Sequence, residues 1–468
     1  MYRREELGRI AVITEDCQMV SYEKLIKLSY RATSKLESRK LAFLMVKNNL
    51  ASIVFYIGAM KRRIVPMLLH HNLQLELFKN LIRQYAPGYA ILPFDYSWDH
   101  EDYEIIDQFL KYVVYRKKRF CGREQDYPIF DQLAILLSTS GSTGSAKCVR
   151  LSYENIRENT KSICQALNIQ RDDRAITTLP MDYTYGLSII NSHLLKKACI
   201  VLNEHSMMYQ KFWNLVGKYK CTTFGGVPYT YEMLIKLNLL NKLQGLRYIT
   251  QAGGKLNEAA VKKMCEQCSK QNVEFIVMYG QTEATARMSV LPWKLVHNNW
   301  GSIGSAIPGV SLYLINENGE KLSACGIEGE IVCEGKNVSL GYAYSYEDLA
   351  LGDVNNGIWK TGDIAVVNEN GLFSITGRKK RIIKLYGNRV NLDEMETYLK
   401  GKGFSVVCVE KREKLYVVFF NSPIDELAKI ELVKRGIPLS GIKLYSIDEL
   451  PIGFSGKIDY FKIKEIIR

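Results

Sequence analysis

Apolar positions along this chain follow two different periods, and the switches between them outline its elements. Past Ser21, a residue type that caps helix starts, Leu25, Leu28, Ala32 and Leu36 fall on one helical stripe. The short apolar runs Leu41–Val46 and Ile53–Ile57 read as buried strands. Ala134–Leu137 reads as another, running into a turn of Ser, Thr and Gly, with Cys148-Val149-Arg150-Leu151 as a return strand. Ser152 then caps a helix whose Ile156, Thr160, Ile163 and Leu167 share a face. From about Ile303 to Ile375 short strands are broken by Gly and Asn-Gly turns, and beyond Arg378 strands such as Leu415–Phe420 mix with helices. This alternation predicts an α/β protein. Residues 1–377 form a large domain of mostly parallel sheets, with a β-rich subdomain over 303–377. A boundary near Gly377 separates a small α+β unit, 378–468.

Composition narrows the class. At 468 residues, 47% hydrophobic and 24% charged, the chain is neither disordered nor fibrous. The start lacks the apolar core of a signal peptide, and the longest apolar run, Ala51–Met60, stops at Lys61, short of the roughly 20 residues a membrane span needs. Eleven scattered cysteines, an odd number, argue against a disulfide framework, so a cytoplasmic protein without a membrane span is expected. The formal charge of +14 invites a polyanionic partner, but no nucleic-acid-binding motif accompanies it, so no nucleic acid is expected. The densest cluster, Arg116-Lys117-Lys118-Arg119, reads as a surface loop. Residues 378–468 carry 19 Lys/Arg against 12 Asp/Glu, a net +7 and half of the total.

Chemistry concentrates in Ser138-Thr139-Ser140-Gly141-Ser142-Thr143-Gly144-Ser145-Ala146-Lys147. Small hydroxyl residues and glycines let backbone N–H groups approach phosphate oxygens, and Lys147 adds a point charge. This is not a Walker loop, because Ala146 and Cys148 flank the lysine where Gly and Ser or Thr would stand. A strand–loop–strand phosphate clamp is expected instead. Cys265 and Cys268 form a lone Cys-x-x-Cys on a helical stretch, with no second pair to complete a zinc site. His70 and His71 lack partner carboxylates at a useful spacing, and Cys148 lacks a His companion.

The loop resembles the phosphate-binding signature of the AMP-forming acyl-adenylate synthetases, which include acyl-CoA ligases, luciferases and peptide-synthetase adenylation domains. Further motifs follow in family order: Gly58-Ala59 with Pro66; Pro180-Met181 leading to Gly186-Leu187; Ala252-Gly253-Gly254; Tyr279-Gly280-Gln281-Thr282-Glu283. Later come Gly329-Glu330-Ile331 with Gly341-Tyr342, Trp359-Lys360-Thr361-Gly362-Asp363, Gly377-Arg378 with Gly387-Asn388-Arg389, and Pro451 through Ser455-Gly456-Lys457-Ile458-Asp459. Two departures are Ala146 for the usual Pro and Cys148 for the usual Gly, and the C-terminal unit is shorter than the family norm. The segment Met181–Leu187 with Gln281 and Arg287-Met288 looks most like acyl ligases encoded in bacterial polysaccharide clusters.

The resemblance implies ATP-dependent activation of a small carboxylic acid to an acyl-adenylate, then transfer to a thiol, with CoA expected and an acidic carrier protein's phosphopantetheine as the alternative. It makes Lys457 the catalytic cation, while Thr139, Ser140, Gly141, Ser142, Thr143, Gly144 and Lys147 hold the phosphates. Glu283 would carry Mg2+ and Thr282 would contact the α-phosphate. Gly253, Gly254, Tyr279, Gly280 and Gln281 would surround the nucleotide, with Asp363 and Arg378 on its ribose. Tyr183, Tyr229 and Gly254, with Phe224–Pro228 as a wall, would form the acid pocket. Amino-acid-activating members place an Asp where Thr184 stands, so a non-amino acid is expected, with Asp182 two residues away. Lys380 would be the hinge of a mobile C-terminal lid, and Gly387 and Arg389 would line the thiol tunnel.

Overall fold

Local sequence sets most of the element starts. Ser21 caps the helix Tyr22–Ala32, its hydroxyl accepting from the Lys24 amide at 3.2 Å. That helix stops short of Leu36, which is buried all the same. Ser152 and Asn155 form a reciprocal capping box on the helix Tyr153–Ala166, and Leu133–Ser138 pairs antiparallel with Cys148–Ser152, as a return strand must. In this computed structural model the described residues are 4–118, 127–138, 147–385, 388–412, 414–435, 437–453 and 457–467.

Two expectations are corrected. Ile53–Ile57 is not a strand but the middle of the helix Leu50–Lys61, capped by Asn49 through the Ser52 amide at 3.0 Å. Almost every residue of that helix is buried, so no polar stripe reveals the helical period. The basic cluster at 116–119 is not wholly a loop either: Arg116 and Lys117 end the strand Tyr112–Lys117, and Arg116 pairs with Glu104 across the neighbouring strand.

The chain forms two compact units, Met1–Ser311 with Cys333–Trp359, and Leu312–Val332 with Lys360–Arg468. Among the described residues of the larger unit, one sheet of eight strands runs Tyr342–Ala343, Cys148–Ser152, Leu133–Ser138, Val65–His70, Leu41–Val46, Tyr89–Pro93, Tyr112–Lys117, Tyr103–Phe109. A second sheet orders Ser302–Ala306, Ser289–Leu291, Glu274–Tyr279, Tyr248–Gln251, Thr223–Gly226, Arg174–Ile176, Cys199–Val201, Ile10–Ile13 and Met19–Ser21. Its central strands are parallel, in register Gly226 to Gln251 to Val277, so their C-terminal ends open on the same edge. That edge is where ligands sit in open α/β sheets.

In the smaller unit, residues 363–367 pair antiparallel with Phe373–Arg378. The strands Val406–Lys411, Lys414–Phe420 and Ile442–Ile447 form a further sheet with both faces covered. Val406 and Cys408 pack into one core, whereas Val407 and Val409 join another with Ile463 and Ile467, as the alternation of strand side chains requires. Arg381 is half-buried there between Asp393 and Glu396, its guanidinium 3.9 Å from the Tyr460 ring centroid. Among the described residues, no helix is long and apolar enough to cross a membrane.

Candidate active site

The motif Tyr279–Glu283 begins at the last residue of the strand Glu274–Tyr279 and continues into a short turn, Thr282–Ala284. Gly280 is required by close approach: a Cβ there would lie 1.5 Å from the Ala286 carbonyl oxygen. The chain folds straight back, with the Met288 amide donating to the Tyr279 carbonyl at 2.8 Å. Thr282 and Glu283 therefore project beyond the edge of the sheet, held by a turn rather than a flexible loop.

Glu283 is partly buried, and its Oε1 accepts the Tyr342 hydroxyl at 2.8 Å. Tyr342 is placed by strand pairing with Val149, beside the return strand that follows Lys147. The Lys147 Nζ stands 3.4 Å from the Tyr342 ring centroid, a cation over an aromatic face. Burial first, and then the Glu283 charge, push the Tyr342 phenol well above its ordinary range, so it remains a hydrogen-bond donor. The Trp359 indole donates to Gln281 Oε1 at 2.8 Å and lies edge-on to Tyr342, while Gln281 Nε2 donates to the Tyr279 hydroxyl at 3.3 Å. The structure thus joins Lys147, Tyr279, Gln281, Glu283, Tyr342 and Trp359 into one polar cluster.

Next to it stand residues expected to form the acid pocket. Thr184 opens the helix Thr184–Leu195, and its hydroxyl lies 3.2 Å from that of Thr282. Tyr183 precedes this helix with its ring 6.2 Å from Tyr185, and burial raises its phenol. Tyr229 is exposed on the first turn of Pro228–Lys236. A Cβ on Gly254 would come within 3.1 Å of Pro228, so Gly254 does border the Phe224–Pro228 wall. Gly253 takes φ +88, and Gln251 Nε2 donates to the Gly254 carbonyl at 2.8 Å, fixing the glycine turn. The Asp182 Oδ1 is buried without a hydrogen-bond partner among the described residues, and burial raises this carboxyl to about 7.

In the smaller unit Asp363 and Arg378 face each other across paired strands, Arg378 Nε donating to Oδ1 at 2.8 Å. Asp363 is 1% exposed at its side chain and Arg378 is 59% exposed, so the guanidinium covers the carboxylate from the solvent side. Lys380 lies on the turn Lys379–Arg381 and Arg389 on the strand Asn388–Asn391. The Gly453 amide donates to the Lys457 carbonyl at 2.7 Å. The expected sites at Thr139, Ser140, Gly141, Ser142, Thr143, Gly144 and Gly387 lie outside the described residues.

Among the described residues no group of three or more His, Cys, Asp or Glu side chains could hold a metal ion. A hard cation at Glu283 would accordingly take most of its oxygens from water and a phosphate ligand, which suits Mg2+. Cys265 and Cys268 are buried on the helix Glu258–Lys270, where burial lifts both thiols to about 12. The Tyr342 hydroxyl and the Trp359 indole were not singled out as site groups by sequence, and the burial of Arg287, named there only as part of a motif, was not foreseen. Tyr342 and Trp359 stood only as motif letters, and nothing in sequence spacing links them to Glu283 or Gln281.

A family model described as "AMP-binding enzyme" matches residues 3–343, most of the chain. The chain belongs to the AMP-binding enzyme family. It is 32% identical over 286 residues to a probable 4-coumarate–CoA ligase 2 of Dictyostelium discoideum, covering 59% of this chain and 51% of that protein. It is 25% identical over 434 residues to bacitracin synthase 1 of Bacillus licheniformis, covering 86% of this chain and 8% of the synthase. The matches therefore span about half, or far less, of these relatives' own lengths. Its fold is similar to that of ATP-bound MatB from Rhodopseudomonas palustris, with TM-score 0.79, 20% identity, and coverage of 99% of this chain and 96% of that one.

Proposed function

We propose that this protein activates a carboxylic acid with ATP and passes the acyl group to a thiol, with CoA as the first candidate. A carboxylate oxygen attacks the α-phosphorus, the bond to the bridging oxygen breaks and pyrophosphate leaves. A thiol sulfur then attacks the acyl carbonyl, loses its proton and displaces AMP. The carrying observation is the Glu283 carboxylate, fixed by Tyr342 at 2.8 Å beside Lys147 and adjoining the Thr282–Thr184 pair. An oxygen donor anchored in this way beside a lysine suits a cation carried by a triphosphate. Two anions must meet, so positioning and charge neutralisation supply most of the acceleration.

Glu283 would hold Mg2+, which when bound offsets the triphosphate charge. Thr282 donates to the α-phosphate, and Lys147 and the 139–144 segment hold the distal phosphates. Gly253, Gly254 and the Tyr279–Gln281 segment border the adenine. Asp363 accepts from a ribose hydroxyl, with Arg378 beside it. Lys457 neutralises the attacking carboxylate and the α-phosphate. Residues 378–468 form a lid that turns at Lys380 between the half-reactions, with Gly387 and Arg389 on its thiol-accepting face. Carrier-protein loading is the second reading, favoured by the net +7 of 378–468 and by similarity to a peptide synthase.

The test is ATP–pyrophosphate exchange over a panel of carboxylic acids, followed by CoA or holo-carrier protein as acceptor. Lys457→Ala should abolish exchange yet spare thiolysis of supplied acyl-AMP. Loss of both steps together in a folded variant would rule out the lid assignment.

A further inference from the structure

Two arginines of the larger unit are almost wholly buried, Arg150 at 0% and Arg287 at 2% exposure, and their surroundings differ completely. Arg150 is spent on structure: Nε donates to the Tyr342 carbonyl at 3.0 Å and Nη2 to Leu340 at 2.7 Å and Gly352 at 3.2 Å, with Nη1 on Leu351. Arg287 has no such role. Its Nε and Nη1 have no hydrogen-bond partner among the described residues. The ionisable groups that face it are Tyr185, Tyr248, Cys164 and His193. Burial keeps the phenols and the thiol protonated and lowers His193 to about 4, so all of them are neutral near pH 7. A guanidinium shut away from water with unused donors and no counter-charge is costly unless an anion arrives.

The backbone holds that cation in place at a cost. Thr285 and Ala286, immediately before it, take φ +64 and +139, conformations that non-glycine residues rarely adopt. They are pinned by Thr285 Oγ1 donating to the Asn337 carbonyl at 2.6 Å and by Asn159 Nδ2 donating to the Arg287 carbonyl at 2.8 Å. The direction is also defined. The Arg287 guanidinium stands 5.1 Å from the Tyr185 ring centroid, and a methyl on Gly225 would lie 2.8 Å from the Tyr185 hydroxyl. Tyr185 belongs to the helix that begins with Thr184 at Thr282, and Gly225 lies in the Phe224–Pro228 wall. Arg287 is thus linked through the Tyr185 ring both to Gly225 in the Phe224–Pro228 wall and to the helix that begins beside Thr282.

We propose that Arg287 is a specificity-determining residue that receives a second carboxylate at the far end of the acid, so that the substrates are dicarboxylic acids. The planar fork of donors matches a carboxylate, and the substrate completes an ion pair that the protein leaves open. This inference rests on the adenylation reading.

The test compares diacids with monoacids of equal chain length, succinate with butyrate and adipate with hexanoate, in pyrophosphate exchange and in thermal-shift binding without ATP. The wild type should favour the matching diacid by about 100-fold or more in kcat/KM. Arg287→Met should erase that preference by losing the diacid, and Arg287→Lys should restore part of it. Because the variant removes an unpaired buried charge, Arg287→Met should also melt higher than the wild type without ligand. Equal use of monoacids by the wild type, or a folded Arg287→Met that retains the diacid preference, would overturn the inference, as would a lowered melting temperature with both acids equally impaired. Diacid binding that depends on Arg287 without any exchange would leave this site standing and overturn the adenylation reading. Absence of both diacid binding and exchange would overturn both.

Discussion

Glu283 and Asp363 are both motif carboxylates, yet their surroundings compensate them in opposite ways. Glu283 is held by a neutral phenol, and no Lys or Arg pairs with it among the described residues. Asp363 is almost fully buried and already ion-paired with Arg378 at 2.8 Å. A carboxylate anchored by a hydroxyl keeps its charge available to an incoming cation, whereas one covered by a guanidinium retains chiefly its acceptor geometry. The same functional group is thus compensated by a hydroxyl in one unit and by a guanidinium in the other, as the proposed metal and ribose roles require.

The largest expected effect separates the two. Glu283→Gln keeps the size and removes the charge, so exchange should fall by about a thousandfold at saturating ATP, with a raised Mg2+ requirement. Asp363→Asn should raise KM for ATP by about tenfold with kcat little changed, the scale of one charged hydrogen bond. If steady-state kinetics gave the two variants the same kcat loss, the distinction would collapse. Tyr342→Phe sharpens it further: loss of one anchor should cost a few-fold to about tenfold, read as a raised Mg2+ requirement rather than weaker ATP binding.

Asp182 extends the comparison as a carboxylate with neither anchor on its buried oxygen. Burial raises it to about 7, so the folded chain keeps a proton that an unfolded chain releases near pH 4. The stability it contributes is full below about pH 4 and declines as pH rises toward 7. Asp182→Asn should therefore raise the melting temperature over the wild type by a few degrees at pH about 8 and by less at pH about 4.5. An equal shift at both pH values would show that the carboxyl is not held protonated.

Order was legible in the sequence, and burial was not. The helix caps at Ser21 and Ser152, the return strand after Lys147 and the motif at Tyr279–Glu283 are local chemistry, readable from neighbours. The helix Leu50–Lys61 was misread because burial on all sides erases periodicity. The anchor of Glu283 comes from Tyr342, 59 residues away along the chain, and the contrast between Arg150 and Arg287 exists only after folding. An arginine code letter carries no record of whether carbonyls wait for it.

The indole of Trp359 donates to Gln281 at 2.8 Å and stands edge-on to the Tyr342 ring that holds Glu283. Indole emission responds to the polarity and hydrogen bonding of its surroundings, so this cluster carries its own optical reporter. Occupancy of the proposed nucleotide site should therefore shift Trp359 emission, with no label attached.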